Sequence, residues 1–141
     1  MIKVRNLELF WLLSTIYASP RISERFILWN NLTNVAEAQS LLWIMMGDFN
    51  ELLMSDDKFG GRPVNFRCAM KFQNFLDTCG IMDMGFSGNR FTWTNSRGVA
   101  NLIQERIDKS FCIVKWRSCI QKQVLNILLG SILTTLPYLL I

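Results

Sequence analysis

LLWIMMGDFN, residues 41–50, is the stretch on which the reading of this chain turns. Its apolar residues run unbroken into Gly47, the pattern of a strand buried on both faces. An acid, an aromatic and an amide follow at once as Asp48-Phe49-Asn50. In open α/β sheets ligands bind at the carboxyl ends of strands. A carboxylate placed there can hold Mg²⁺ or orient a water. On an extended chain Asn50 would point to the same side as Asp48 and could hydrogen-bond a phosphate oxygen. Taken alone, an Asp and an Asn after a strand are more often turn formers.

Upstream, LFWLLSTIY at residues 9–17 reads as another apolar strand buried on both faces. Ser19-Pro20 then reads as a helix N-cap with proline at the first helical position. The helix that follows places Ile22, Phe26, Trp29, Leu32 or Thr33, and Ala36 on one stripe. Downstream, Ser55 to Pro63 is loop, rich in Asp and Gly. Residues 65–78 form a second amphipathic helix, with Phe66, Ala69, Met70, Gln73, Phe75 and Leu76 on or near one face and Gly80 as its stop. FTWTN, residues 91–95, alternates like a half-buried strand, and LIQERID, residues 102–108, reads as a strand leading to Asp108. Trp43, Trp93 and Trp116 read as core. Alternating strands and helices predict an α/β or α+β domain.

Composition narrows the chemistry. Half of the 141 residues are apolar, enough for a real core, and there is no histidine. Hydrolysis would therefore rest on carboxylates and a metal ion. The four cysteines, Cys68, Cys79, Cys112 and Cys119, have no C-x-x-C spacing, which argues against zinc. With no signal peptide visible, the reading is nuclear or cytoplasmic, not secreted. Residues 58–141 carry eleven basic and four acidic side chains. That bias suits a polyanion and is equally compatible with ordinary surface charge. Gln123 to Ile141 carry no charge at all, but Asn126, Gly130, Ser131, Thr134, Thr135 and Pro137 interrupt a run that a membrane span would need apolar. A membrane partner is accordingly not expected.

The pieces, in their order, resemble the endonuclease/exonuclease/phosphatase superfamily, and within it the apurinic-endonuclease-like domain of plant non-LTR (LINE-type) retrotransposons. The motifs that carry the resemblance are Ile16-Tyr17-Ala18-Ser19-Pro20, Gly47-Asp48-Phe49-Asn50-Glu51, Asp57-Lys58-Phe59-Gly60-Gly61, Phe91-Thr92-Trp93-Thr94-Asn95 and Glu105-Arg106-Ile107-Asp108-Lys109. It implies a two-sheet α/β sandwich of the DNase I-like type that hydrolyses DNA phosphodiesters with Mg²⁺. By motif, Tyr17 resembles the tyrosine that touches the scissile phosphate, and Asp48 the residue that positions the attacking water. Asn50 resembles the amide that stabilises the phosphate oxygens, and Asp108 the carboxylate closing an R-[IL]-D strand.

Two parts of that family's pattern are missing. Its opening strands and metal-binding glutamate have no counterpart before Leu9, since Glu8 lacks the matching context. Its closing Ser-Asp-His is replaced by Leu133-Thr134-Thr135. The expectation is a truncated domain over 1–122 with unpaired strand edges, followed by an apolar tail over 123–141. Plausible codons for Ser-Asp-His-Ser-Pro, read one base later, give the Leu-Thr-Thr-Leu-Pro of residues 133–137, so a frameshift accounts for that tail. A domain with no intact metal site, no tightly bound Mg²⁺ and no turnover follows. The alternatives are a non-catalytic nucleic-acid-binding module and a small tail-anchored, membrane-associated protein.

Overall fold

The structure, a computed structural model, describes residues 2–3 and 10–116. The elements are β1 (Ile2–Lys3), β2 (Phe10–Tyr17), α1 (Ile22–Ala38), β3 (Leu42–Asp48), β4 (Lys58–Phe59), α2 (Phe66–Thr78), β5 (Ile81–Asp83), β6 (Trp93–Thr94), β7 (Gln104–Glu105) and β8 (Asp108–Ile113). Short 3-10 turns lie at Ser55–Asp57 and Val99–Asn101. They build two sheets, one ordered β1-β2-β3-β8-β5 and a smaller one ordered β4-β7-β6. β2 and β3 are parallel, with α1 as the crossover between them, whereas β8 runs antiparallel to β3. The chain is thus an α/β domain with two sheets, as its alternating pattern predicts.

One face of the large sheet carries the core. Leu12 and Ile16 of β2, Trp43 and Met45 of β3, and Phe111 of β8 meet the helices there. Trp29 of α1 stacks on Phe72 and Phe75 of α2, at ring-centroid distances of 4.6 and 5.5 Å. Phe49, directly after β3, sits edge-on to Phe111 at 4.9 Å. Aromatic pairs in these geometries add about 0.5–1.5 kcal/mol beyond the area they bury.

Several expectations are corrected. Neither apolar strand is buried throughout: Phe10 and Tyr17 of β2 and Met46 of β3 are exposed, because only one face of the sheet meets the helices. Ser19 does not cap α1. Its Oγ accepts from Arg21 N at 3.1 Å, and the helix begins two residues later than the Ser-Pro signal suggests. On α2 the buried stripe is Cys68, Ala69, Phe72, Phe75 and Leu76, whereas Phe66, Met70 and Gln73 are exposed. Trp43 is core, but Trp93 is 43 % exposed and Trp116 is half-buried against Trp11. The stretch read as one strand over 102–108 is a two-residue β7 followed by a bend, and Asp108 opens β8 instead of closing a strand. The apolar tail from 123 onward lies outside the described residues. Among the described residues no helix is long and apolar enough to cross a membrane.

The ends of α2 follow local rules. Asn65 Oδ1 accepts from Cys68 N at 3.2 Å, satisfying a donor that the first turn leaves open. Gly80, at φ +61°, turns the chain out of the helix and into β5. Replacing Asn65 with alanine should cost about 1 kcal/mol, read as a lower urea midpoint at unchanged m-value.

Candidate functional site

The register of the large sheet assembles three of the four sequence-predicted residues. Tyr17 of β2 is the cross-strand partner of Asp48 of β3, and Asp48 is the partner of Asp108 of β8. Cross-strand partners share a face. Tyr17, Asp48 and Asp108 therefore form one row across three adjacent strands, on the face opposite the helices. The row lies at the carboxyl ends of parallel β2 and β3, where ligands enter such sheets. Tyr17 is 83 % exposed, Asp108 is exposed and Asp48 is half-buried.

Asn50 closes the site differently from the extended geometry expected of it. Its φ of +47° folds the chain back. Its backbone N donates to Asp48 Oδ1 at 2.8 Å, and its Nδ2 donates to Asp48 Oδ2 at 3.2 Å and to Ala18 O at 2.8 Å. The amide thus holds the carboxylate and ties the turn after β3 to the turn after β2. Sequence spacing reveals the pairing of Asp48 with Asn50 but not this reversal, which depends on Ala18, far away in the chain.

Two buried ion networks, which sequence reasoning missed, clamp the loops that carry the row. In the first, Arg25 of α1 donates from Nε to Glu51 Oε2 at 3.0 Å. Its Nη1 donates to the carbonyls of Ser19 and Pro20 at 3.1 and 2.8 Å. One guanidinium so joins the turn after Tyr17 to the turn after Asp48. Burial pushes the Glu51 carboxyl above its ordinary range, and the Arg25 charge offsets part of that rise.

In the second, Asp57 accepts from Lys109 Nζ at 2.7 Å, from Leu53 N at 2.9 Å and from Arg106 Nη1 at 3.3 Å. Arg106 Nη2 also donates to Asp83 at 2.6 and 2.8 Å, and Phe86 packs its ring near the same guanidinium. Arg106 and Lys109 therefore do not form a surface pair with Asp108, as their adjacency suggests. They point inward and anchor the loop after β3 to the start of β8. Burial holds the Lys109 ammonium below its usual range, with Asp57 opposing the shift. The available signal was the alternation itself: in a strand, Lys109 and Asp108 must face opposite sides.

Between β7 and β8 the chain passes from the small sheet to the large one. Thr92 Oγ1 accepts from both Ile107 N and Asp108 N, at 3.2 and 3.1 Å, and Phe49 N donates to Ile107 O at 3.0 Å. The bend at Arg106–Ile107 is thus pinned on both sides, which fixes where Asp108 enters the row. As metal donors the row offers two carboxylates, and among the described residues no group of three or more acidic, Cys or His side chains converges. Magnesium is commonly held by one or two carboxylates together with substrate phosphates, so this donor set suits a loosely held ion completed by substrate rather than a closed site.

Structural comparison finds a similar fold. The endonuclease domain of TRAS1, a telomere-specific non-LTR retrotransposon, matches with a TM-score of 0.53 and 16 % sequence identity, over 80 % of this chain and 48 % of that one. The chain shares the fold of that domain over this span. This chain spans about half the length of the solved domain it matches. No family model matches the chain, and no curated protein does.

Proposed function

We propose that the chain is the remnant of a Mg²⁺-dependent DNA endonuclease domain of retrotransposon origin that retains part of the site and has lost turnover. The observation that carries this reading is the cross-strand row Tyr17–Asp48–Asp108 at the carboxyl ends of β2 and β3, with Asn50 holding Asp48. In such a site Asp48 would orient a water for in-line attack on a phosphodiester, with the Tyr17 hydroxyl against the phosphate. Asp48 and Asp108 would hold Mg²⁺, whose chemistry is to neutralise the charge that develops on the phosphate oxygens.

The loss of turnover rests on what the 141 residues contain. They hold no histidine to contact the phosphate or protonate a leaving group. The Asn50 amide is engaged by Ala18 and Asp48 instead of standing free for phosphate. Losing one member of a catalytic unit costs several powers of ten in rate, and such losses are not additive.

The purified chain should nick supercoiled plasmid in Mg²⁺ or Mn²⁺ no faster than its Asp48→Ala variant. Metal-dependent nicking that the substitution abolishes would show a working site and overturn the loss of turnover. A non-catalytic nucleic-acid-binding module is the second reading, favoured by the basic excess of residues 58–141. Its mark is DNA affinity that falls steeply with salt in wild type and Asp48→Ala alike.

A further inference from the structure

At one side of the large sheet β1 covers β2 only at Phe10 and Trp11. Beyond Trp11, among the described residues, no strand pairs with that side of β2. Its backbone points outward there at alternate residues. Ala18 N donates to Asp48 O, toward β3, so the N–H and C=O of Tyr17 face the open side. By the alternation of a strand the same holds for Thr15 and Leu13. Every residue from Phe10 to Tyr17 is half-buried or exposed, with Thr15 and Tyr17 among the exposed ones. Trp43, Ile44 and Met45 of the neighbouring β3 are buried.

An open edge is a template for further pairing, and natural sheets guard it with lysine, proline or a bulge. Leu12 to Tyr17 carries no charge and no proline, and its register against β3 runs without a bulge. Thr15, Ile16 and Tyr17 are residue types that favour strands. The other edges among the described residues are short. β5, at the far side of the same sheet, is three residues long, and its Asp83 carboxylate is held by Arg106. The outer strands of the small sheet, β4 and β6, have two residues each. Among the described residues the molecule thus presents one long unguarded edge.

We infer that this edge pairs antiparallel with the same edge of a second copy of the chain, about a two-fold axis through Thr15. That register sets Thr15 opposite Thr15 and Leu13 opposite Tyr17, so Leu13, Thr15 and Tyr17 are all used at once. In each such pair the two residues exchange both backbone hydrogen bonds. The side chains match face by face. On the outer face threonine meets threonine and leucine meets an aromatic ring, and on the helix side Ser14 meets Ile16. Neutrality is what makes the strand suit its own copy. A charged edge would set like charges opposite each other across the axis, and this one sets none. A two-fold contact uses the same patch on both molecules and closes on itself. With no second long edge on offer, assembly stops at two. The inference rests on sheet order and residue chemistry alone, so it stands whether or not the endonuclease reading does.

The test uses the full chain, in sedimentation velocity over a range of concentrations and in residue-resolved amide exchange. The expected result is a monomer–dimer equilibrium in which the amides of Leu13, Thr15 and Tyr17 are better protected at high concentration than at low. Those of Leu12, Ser14 and Ile16, which face β3, should not change. Thr15→Lys, at an exposed position, sets two ammoniums opposite each other and should weaken the dimer by about tenfold or more. Thr15→Val keeps a branched, neutral side chain and should dimerise within about threefold of wild type. Thermal melts at concentrations where the chain is monomeric show whether either variant alters the fold itself. A monomer at every concentration would overturn the inference, as would a dimer indifferent to Thr15→Lys. Protection of Leu13, Thr15 and Tyr17 that does not vary with concentration would mean that the chain covers its own edge, and would overturn it too. Mass that keeps rising past twice that of the chain would rule out the closed two-fold.

Discussion

Gly47→Ala should abolish the folded state. Gly47 sits at φ +135°, and a Cβ built there meets Ile16 O at 2.1 Å. Backbone oxygen on a neighbouring parallel strand cannot move aside without breaking the register that pairs Ile16 with Gly47 and Tyr17 with Asp48. The clash and the left-handed φ act together, and the cost should exceed about 4 kcal/mol, a large part of the stability of a domain this size. The measurement is circular dichroism with a thermal melt, and the expected result is no cooperative transition. A variant that melts within a few degrees of wild type would mean that β2 and β3 are not held in this register.

Lys109→Met should be the second largest loss, about 3–5 kcal/mol, because it leaves the Asp57 carboxylate buried with only Arg106 and Leu53 N to compensate it. Its pH dependence identifies the cause. The folded protein holds Lys109 below its ordinary range, so the unfolded chain binds the proton more tightly. Stability from this group therefore rises with pH up to the unfolded value of about 10.4, and falls as pH drops through the folded value. Burial raises the thiols of Cys68 and Cys79, which work in the opposite direction above about pH 8.5. The two contributions separate by difference, because the thiols are common to both proteins. The gap in unfolding free energy between wild type and Lys109→Met should widen from pH 7 to pH 10. A constant gap would mean that Lys109 is not buried as a charge.

What the sequence made legible follows from which interactions are local. The LLWIMMG run and the Trp29 stripe announce β3 and α1, since burial writes its period directly into neighbouring residues. The same logic locates Asp48 at a strand end. It fails for Arg25, Glu51, Asp57, Arg106 and Lys109, because a charged side chain reads as surface until its partner is known, and these partners lie 23 to 52 residues apart. Residue type places Trp93 in the core, yet the small sheet leaves it exposed. β8 was missed beyond Asp108, although Phe111, Cys112 and Ile113 are apolar. The charged run Glu105–Lys109 masks the start of that strand, because Lys109 reads as surface although it is buried.

The pairing of Asp48 with Asp108 also governs the order in which the molecule can assemble. β2, α1 and β3 are consecutive and can collapse together early, bringing Tyr17 beside Asp48 through a crossover of ordinary length. Asp108 is about twice as far from Asp48 along the chain as Tyr17 is, and loop-closure entropy must be spent before that long-range pairing returns anything. During synthesis, β3 therefore waits with one edge open until β8 leaves the ribosome. The row of three is completed late, and two like-charged carboxylates directly opposite each other weaken its end of the sheet against the core. In native-state hydrogen exchange, the amides around Asp108 should open well before those of Trp43 and Met45, whose side chains lie in the core.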